Sequence, residues 1–247
     1  SSDLDQIVKG NYPRDVPEAQ RKINDYQLSV LDSLDADGKI SSTFNLWFFT
    51  NGDSRDPETA GILGALMGSF YALLICFSFA FPVGLLASIY LEEFVRPGKL
   101  TDFIEVNINN LAAVPSIVYG LLGLGMLIGV FGMPYQVPLV GGLVLGFMTL
   151  PTIIIASRAS LRSVPPSIRE AALAVGATKT QTVFHHVIPL SLPGSLTGTI
   201  IGMAQALGET APLLMVGMVA FVMDIPGGAL DPATGLPSQI YLWSESA

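Results

Sequence analysis

Between residues 59 and 223 the chain contains four apolar runs, 59–91, 111–131, 139–157 and 193–223. Each is near or beyond the roughly 20 residues that a helix needs to cross a bilayer. Runs of this length leave a soluble fold no means of hiding them. Only 13% of the residues are charged, where a soluble domain carries about 25%. With no water in the hydrocarbon to satisfy backbone groups, an open chain crosses as helices, so the expected fold is all-α, a polytopic membrane helical bundle with four visible spans.

The first run exceeds what a bilayer demands, so it must tilt, bend or project, and Pro82 marks the expected bend because it cannot donate to the Ser78 carbonyl. Residues 100–110 interleave polar with apolar side chains, which suits a stretch that lies along the interface or enters the second span. The 132–138 turn has no basic residue, and Pro151 falls inside the third span. Six Lys/Arg follow residue 58: Arg96 and Lys99 in one loop, Arg158, Arg162, Arg169 and Lys179 around the next but one. Basic short loops stay in the cytoplasm, so both belong inside.

The opposite ends then face outward: a polar segment 1–58 with six Lys/Arg against eleven Asp/Glu, the 132–138 turn, and a Gly/Pro-rich tail 224–247. A chain that starts outside without an apolar leader implies a preceding span, and the abrupt tail implies a following one. Cys76 is the sole cysteine, so no disulfide or metal cluster forms within the chain. The run from Ser33 through Asp35, Asp37 and Gly38 has Phe44 where a calcium loop needs a bidentate glutamate, and reads as a tight turn.

Two polar features interrupt this plan. The first is an elbow at 163–189, inside the 59–223 transmembrane domain. Pro165 and Pro166 suit a helix start, Ser167 is placed to cap its first turn, and Glu170-Ala171-Ala172-Leu173-Ala174 is mostly strong helix former. Gly176 stands where a chain leaves a helix, and Thr178 opens a second short helix expected to end near Pro189. The two alanines beside Glu170 leave a flat face that another protein's groove can approach. An ordinary loop helix is the competing reading.

The second is Gln205-Ala206-Leu207-Gly208-Glu209-Thr210-Ala211-Pro212, in the fourth span. An ionised carboxylate at a helix centre costs about 2.5–3.5 kcal/mol on insertion scales, so Glu209 should face protein or water. Pro212 has no N–H for the Gly208 carbonyl, and interrupted helices of this kind line substrate sites in transporters. The expected pathway residues are Gln205, Gly208, Glu209, Thr210 and Pro212. A structural kink with Glu209 paired to an arginine is the alternative.

The spacing Glu170-Ala171-Ala172, Gly176, His186-Val187-Ile188-Pro189 resembles the coupling motif of ABC importer permeases. With Ala87-Ser88-Ile89-Tyr90-Leu91-Glu92-Glu93, Asn110-Leu111-Ala112-Ala113-Val114-Pro115-Ser116-Ile117-Val118-Tyr119-Gly120-Leu121, Gly208-Glu209-Thr210-Ala211-Pro212-Leu213-Leu214 and Leu236-Pro237-Ser238-Gln239-Ile240-Tyr241, it is similar to the phosphate importer permeases of the PstA type, within the MetI-like fold. The resemblance implies six spans, the first and sixth lying outside this chain, in a bacterial cytoplasmic (inner) membrane.

It also implies partners: a second permease of the PstC type, two ATP-binding subunits of the PstB type and a periplasmic phosphate-binding protein of the PstS type. Coupling would run through Glu170, Ala171, Ala172, Gly176 and Pro189. The chain departs from the family at Gln205, where an arginine is frequent, and at His186, where an aliphatic residue is usual.

The reading is a subunit that translocates phosphate without catalysing chemistry, with membrane lipid around it and no nucleic acid. It has no Gly-x-x-x-x-Gly-Lys-Ser/Thr motif, so ATP and Mg would be used by the partner ATPase and no cofactor or metal is expected in this chain. Another oxyanion is the second reading, given Gln205. An intramembrane enzyme using Glu209 is the third, and it lacks a second catalytic group, because His185 and His186 fall in the elbow.

Overall fold

The computed structural model of the chain describes residues 6–7, 9–21, 23–40, 44–54, 59–219 and 221–246. Of the expected 1–58 segment, residues 1–5, 8, 22, 41–43 and 55–58 lie outside that set. Among the described residues every long regular element is a helix: α1 (Asp25–Ala36), α2 (Leu46–Thr50), α3 (Leu63–Phe94), α4 (Lys99–Ala112), α5 (Ser116–Val130), α6 (Pro138–Ser163), α7 (Pro166–Ala174), α8 (Lys179–Gly208), α9 (Ala211–Met215) and α10 (Leu236–Ser246).

Three of these helices, α3, α6 and α8, are long and apolar enough to cross a membrane. The expected span at 111–131 is instead split, because α4 and α5 meet at 101°. Pro115 causes this: its ring bars Val114 from helical geometry, and Pro115 itself is extended, with ψ 138°. Leu111 and Ala112 therefore belong to α4, and only the pair taken together gives a fourth crossing.

The fourth span needs a similar correction. α8 is already helical from Lys179, passes Pro189 and Pro193 without ending, and stops at Gly208, well short of Met223. Pro189 comes just after a wide-turned stretch, Val183–Val187, that leads into the span and tolerates its missing N–H, so no second elbow helix terminates there.

α6 is the central helix, packed on α3 along one side and on α8 along another. Without water to drive helices together, close packing needs small residues at the contact. α3 supplies them every fourth position: Gly64, Gly68, Ala72, Cys76, Ala80, Gly84 and Ser88 are all buried. Such a row drifts around the helix, so successive members meet different neighbours: Gly68 faces the Thr234 carbonyl, Ala72 approaches Gly142, and Gly84 faces Ile153. Pro82 sits inside α3 without ending it. A Cβ added at Gly142 would lie 2.5 Å from the Ala72 carbonyl oxygen, so the α3–α6 distance depends on that glycine.

The described parts of 1–58 and 224–247 are packed rather than loose. Asp37 and Gly38 close α1 in the expected tight turn, Gly38 having φ +66°. Ile7, Tyr12 and Leu28 form a small core, and the Arg14 guanidinium donates two bonds of 2.7 and 2.8 Å to Asp32, holding that carboxyl below its ordinary range. The 224–247 tail contains α10, whose Gln239 is buried and donates to Asp53 at 2.9 Å, while Ser69 accepts from the Leu236 N–H at 2.7 Å.

Candidate functional site

The first helix of the elbow and its glycine turn form where expected, with one change at the start. α7 begins on Pro165 and Pro166, and Ser167 makes no capping bond, because Pro165 occupies the cap position. At its end Gly176 takes φ +92°, its N–H bonded to the Leu173 carbonyl and that of Ala177 to the Ala172 carbonyl. This is the paired-bond ending that favours glycine at the left-handed position. Thr178 then starts α8 with a reciprocal cap to Gln181.

Of the expected coupling residues, Glu170, Ala171, Gly176 and Pro189 are exposed, and Ala172 is buried against the body. The outer face of the elbow is thus a carboxylate and small side chains, flanked by the exposed Leu173 and Val175. Its inner face belongs to an apolar cluster of Ile89, Leu161, Val164, Val183 and Val187, drawn from α3, α6, α8 and the link between α6 and α7.

Charged side chains bolt the same elements together, and sequence reasoning missed the arrangement. Arg169 donates to Glu93 at 2.6 Å and to the carbonyls of Val164 at 2.7 Å and Leu161 at 3.0 Å. It therefore ties the elbow to α3 and satisfies acceptors left over at the end of α6. Beside it Glu92 receives Arg162 at 2.8 Å and Arg158 at 3.3 Å, and Glu105 of α4 receives Arg158 at 2.9 Å. Lys179 completes the group 5.7 Å from the Phe94 ring centre. The alternation of acidic and basic clusters at the ends of consecutive spans was the available signal; which carboxylate meets which arginine depends on tertiary packing.

The polar site on α8 divides in two. The helix stops at Gly208, Glu209 is extended with ψ 117°, and α9 restarts at Ala211, so the expected interruption is present. Gln205 and Glu209, four residues apart and hence on one side of the chain, line a small recess of about 110 Å³ with Leu111, Ser116, Tyr119 and Thr152. Tyr119 is held in place by its own bond to the Leu111 carbonyl, 2.8 Å long.

Gly208 and Thr210 open instead onto a different groove, beside Leu207, Leu236, Pro237 and Ile240. Pro212 is buried where α9 crosses α5 at Gly120, at which an added Cβ would come within 2.8 Å of the proline Cα. Ser116 and Thr152 were not anticipated, because nothing in sequence places the hydroxyl that opens α5 and a mid-span hydroxyl of α6 beside Glu209.

Among the described residues Glu209 has no ion-pair partner. The nearest candidate in sequence reasoning, Arg158, is buried and engaged by Glu92 and Glu105. It also stands six residues beyond Thr152, about 9 Å along α6. The recess is polar, half-open and without a cation of its own.

Long apolar helices around such a recess, with a charged elbow at one end, define a polytopic α-helical membrane protein. The family model of the binding-protein-dependent transport system inner membrane component matches residues 80–237, and the chain belongs to that family. It is 34% identical to the probable ABC transporter permease protein YqgI of Bacillus subtilis, over 70% of this chain and 58% of that one. It is 33% identical to the phosphate transport system permease protein PstA 1 of Mycobacterium tuberculosis, over 65% and 53%.

It is also 30% identical to the probable phosphate transport system permease protein PstA of Methanocaldococcus jannaschii, over 81% and 69%. The chain thus spans 58% and 53% of the first two of these relatives. In fold it is similar to a chain of the MetNI methionine ABC transporter, with a TM-score of 0.56 at 22% identity, over 75% of this chain and 79% of that one. The all-helical, MetI-like permease fold expected from the sequence is the one found.

Proposed function

We propose that this chain is the permease subunit of an ATP-driven ABC importer that carries inorganic phosphate across the cytoplasmic membrane by alternating access. It would work with a second permease, two ATPase subunits that use ATP and Mg, and a phosphate-binding protein outside. The relatives named as phosphate permeases support the cargo. Gln205, in place of a frequent arginine, favours a second reading in which the cargo is another oxyanion.

The observation that carries the proposal is the elbow. Glu170 and Ala171 face solvent, while Arg169, the very next residue back, is fixed to Glu93 and to the end of α6. A push on the exposed face is therefore delivered to α3 and α6 as a rigid displacement, and through α8 to the break at Glu209. Under this reading the orientation follows the basic loops, with the elbow inside and the α9–α10 end outside.

Glu170→Lys tests the elbow directly, because an exposed position tolerates the change without unfolding. In the full-length subunit assembled with its partners, the variant is expected to lower the phosphate taken up per ATP hydrolysed. An unchanged ratio would remove the elbow from the coupling path.

A further inference from the structure

The end of α3 remote from the ion cluster carries a feature that neither the recess nor the elbow uses. Residues 44–51, Phe-Asn-Leu-Trp-Phe-Phe-Thr-Asn, contain no charge, yet Phe44, Trp47 and Phe49 are each more than half exposed. They are not a disordered fringe. Phe44 stacks on Phe49 with ring centres 5.7 Å apart, Phe49 meets Phe48 edge-on at 5.1 Å, and Phe48 reaches Trp243 of α10 at 6.0 Å. Trp47 and Trp243 are the two tryptophans of the chain, and both lie in this one layer.

The layer is fixed to the start of the span. The Phe48 carbonyl accepts from the Ile62 N–H at 2.8 Å and the Asn51 carbonyl from the Leu63 N–H at 3.0 Å. Its depth follows from length. α3 has 32 residues, which at 1.5 Å each is about 48 Å, and a tilt near 20° brings the vertical extent to about 45 Å. A bilayer with its headgroups is about 40–45 Å thick, of which about 30 Å is hydrocarbon. With Glu92 and Glu93 at one headgroup layer, Leu63 falls in the other.

We infer that the aromatic layer of Phe44, Trp47, Phe49 and Trp243 is a lipid-binding collar, seated at the headgroup–acyl boundary on the face opposite the elbow. Large rings with one polar edge favour that boundary, where apolar area is buried and the indole N–H stays hydrated. The interleaved Asn45, Thr50 and Asn51 suit the same place, since their amides and hydroxyl meet headgroups and water. The collar would hold α3 at a fixed depth while the elbow end moves.

The test is depth-resolved fluorescence quenching of the full-length subunit in phosphatidylcholine vesicles. The emission of Trp243→Phe minus that of the double variant Trp47→Phe/Trp243→Phe isolates Trp47. Wild type minus Trp47→Phe supplies the same signal if the double variant does not fold. The expected result is blue-shifted emission that a headgroup nitroxide quenches more strongly than a mid-chain nitroxide, with weak quenching by aqueous iodide.

Three results would overturn the collar. Strong iodide quenching without any nitroxide effect places Trp47 in water. Protection from both lipid labels and iodide assigns the layer to a protein partner. Stronger quenching by the mid-chain label places it in the hydrocarbon.

Discussion

Arg169→Ala is expected to destabilise the subunit by about 3 kcal/mol, the lower end of what breaking a buried ion pair costs. The figure follows from what is left behind. Glu93, with 8% of its side chain exposed, loses its partner, the Val164 carbonyl loses its Arg169 donor, and the Leu161 carbonyl keeps only the 3.3 Å bond from the Val164 N–H. Arg169 itself is 24% exposed, which is why the lower end applies.

The unpaired carboxylate carries much of that cost, so adding Glu93→Gln to Arg169→Ala should return part of it. Thermal unfolding of the solubilised subunit reads both variants. Under the proposed function, uptake per ATP should fall alongside, because the elbow would no longer be fixed to α3. Unfolding within about 0.5 kcal/mol of wild type, the usual range for an incidental surface change, would mean that the ion pair is ornamental.

Glu209→Ala is expected to lower transport tenfold or more while leaving assembly intact, tenfold corresponding to an interaction of about 1.4 kcal/mol. Glu209 lies at a chain break beside a recess rather than inside a packed helix contact, so its loss opens no cavity in the core. An anion passing a carboxylate at about 4 Å meets a repulsion of about 4 kcal/mol at an effective dielectric of about 20.

Among the described residues Arg158 and Arg162 are engaged by Glu92 and Glu105, and under the proposed function a second permease would supply the compensating charge. Glu209→Gln, which keeps the shape and removes the charge, separates the two roles. Uptake retained in Glu209→Gln and lost in Glu209→Ala points to hydrogen bonding in the recess; equal loss points to the charge itself. Wild-type uptake in both would exclude Glu209 from the pathway.

Much of the scaffold was legible because hydropathy reports burial in lipid directly: α3 and α6 lie within a few residues of the runs at 59–91 and 139–157. What escaped were features that hydropathy treats as silent. Val114 is apolar, so the run at 111–131 reads straight through a right-angled break that a rule about residues before proline would have placed. Pro189 suggested a helix end and Pro193 the start of a span, yet one helix passes through both, with wide turns at 183–187 just before Pro189. Thr178 and Gly176 were legible for the opposite reason, since capping and left-handed geometry are local chemistry.

The site shows the same division. Gln205 and Glu209 share the recess because four residues separate them, a relation visible in any helix. Gly208 and Thr210, adjacent to Glu209 in sequence, were expected with it and open elsewhere. The small-residue row from Gly64 to Ser88 recurs with a regular period of four, so the amino-acid order alone marks it as the seam that α3 offers to its neighbours.

The central claim is that this chain forms part of an ATP-driven phosphate path. The most direct test is uptake of labelled phosphate into vesicles holding the full-length subunit with its second permease, its ATPases and the binding protein, compared with uptake of labelled sulfate and with a control lacking ATP. The account predicts phosphate accumulation that requires ATP and exceeds that of sulfate. ATP-dependent accumulation of sulfate with none of phosphate would contradict the cargo, and phosphate movement indifferent to ATP would contradict the machine.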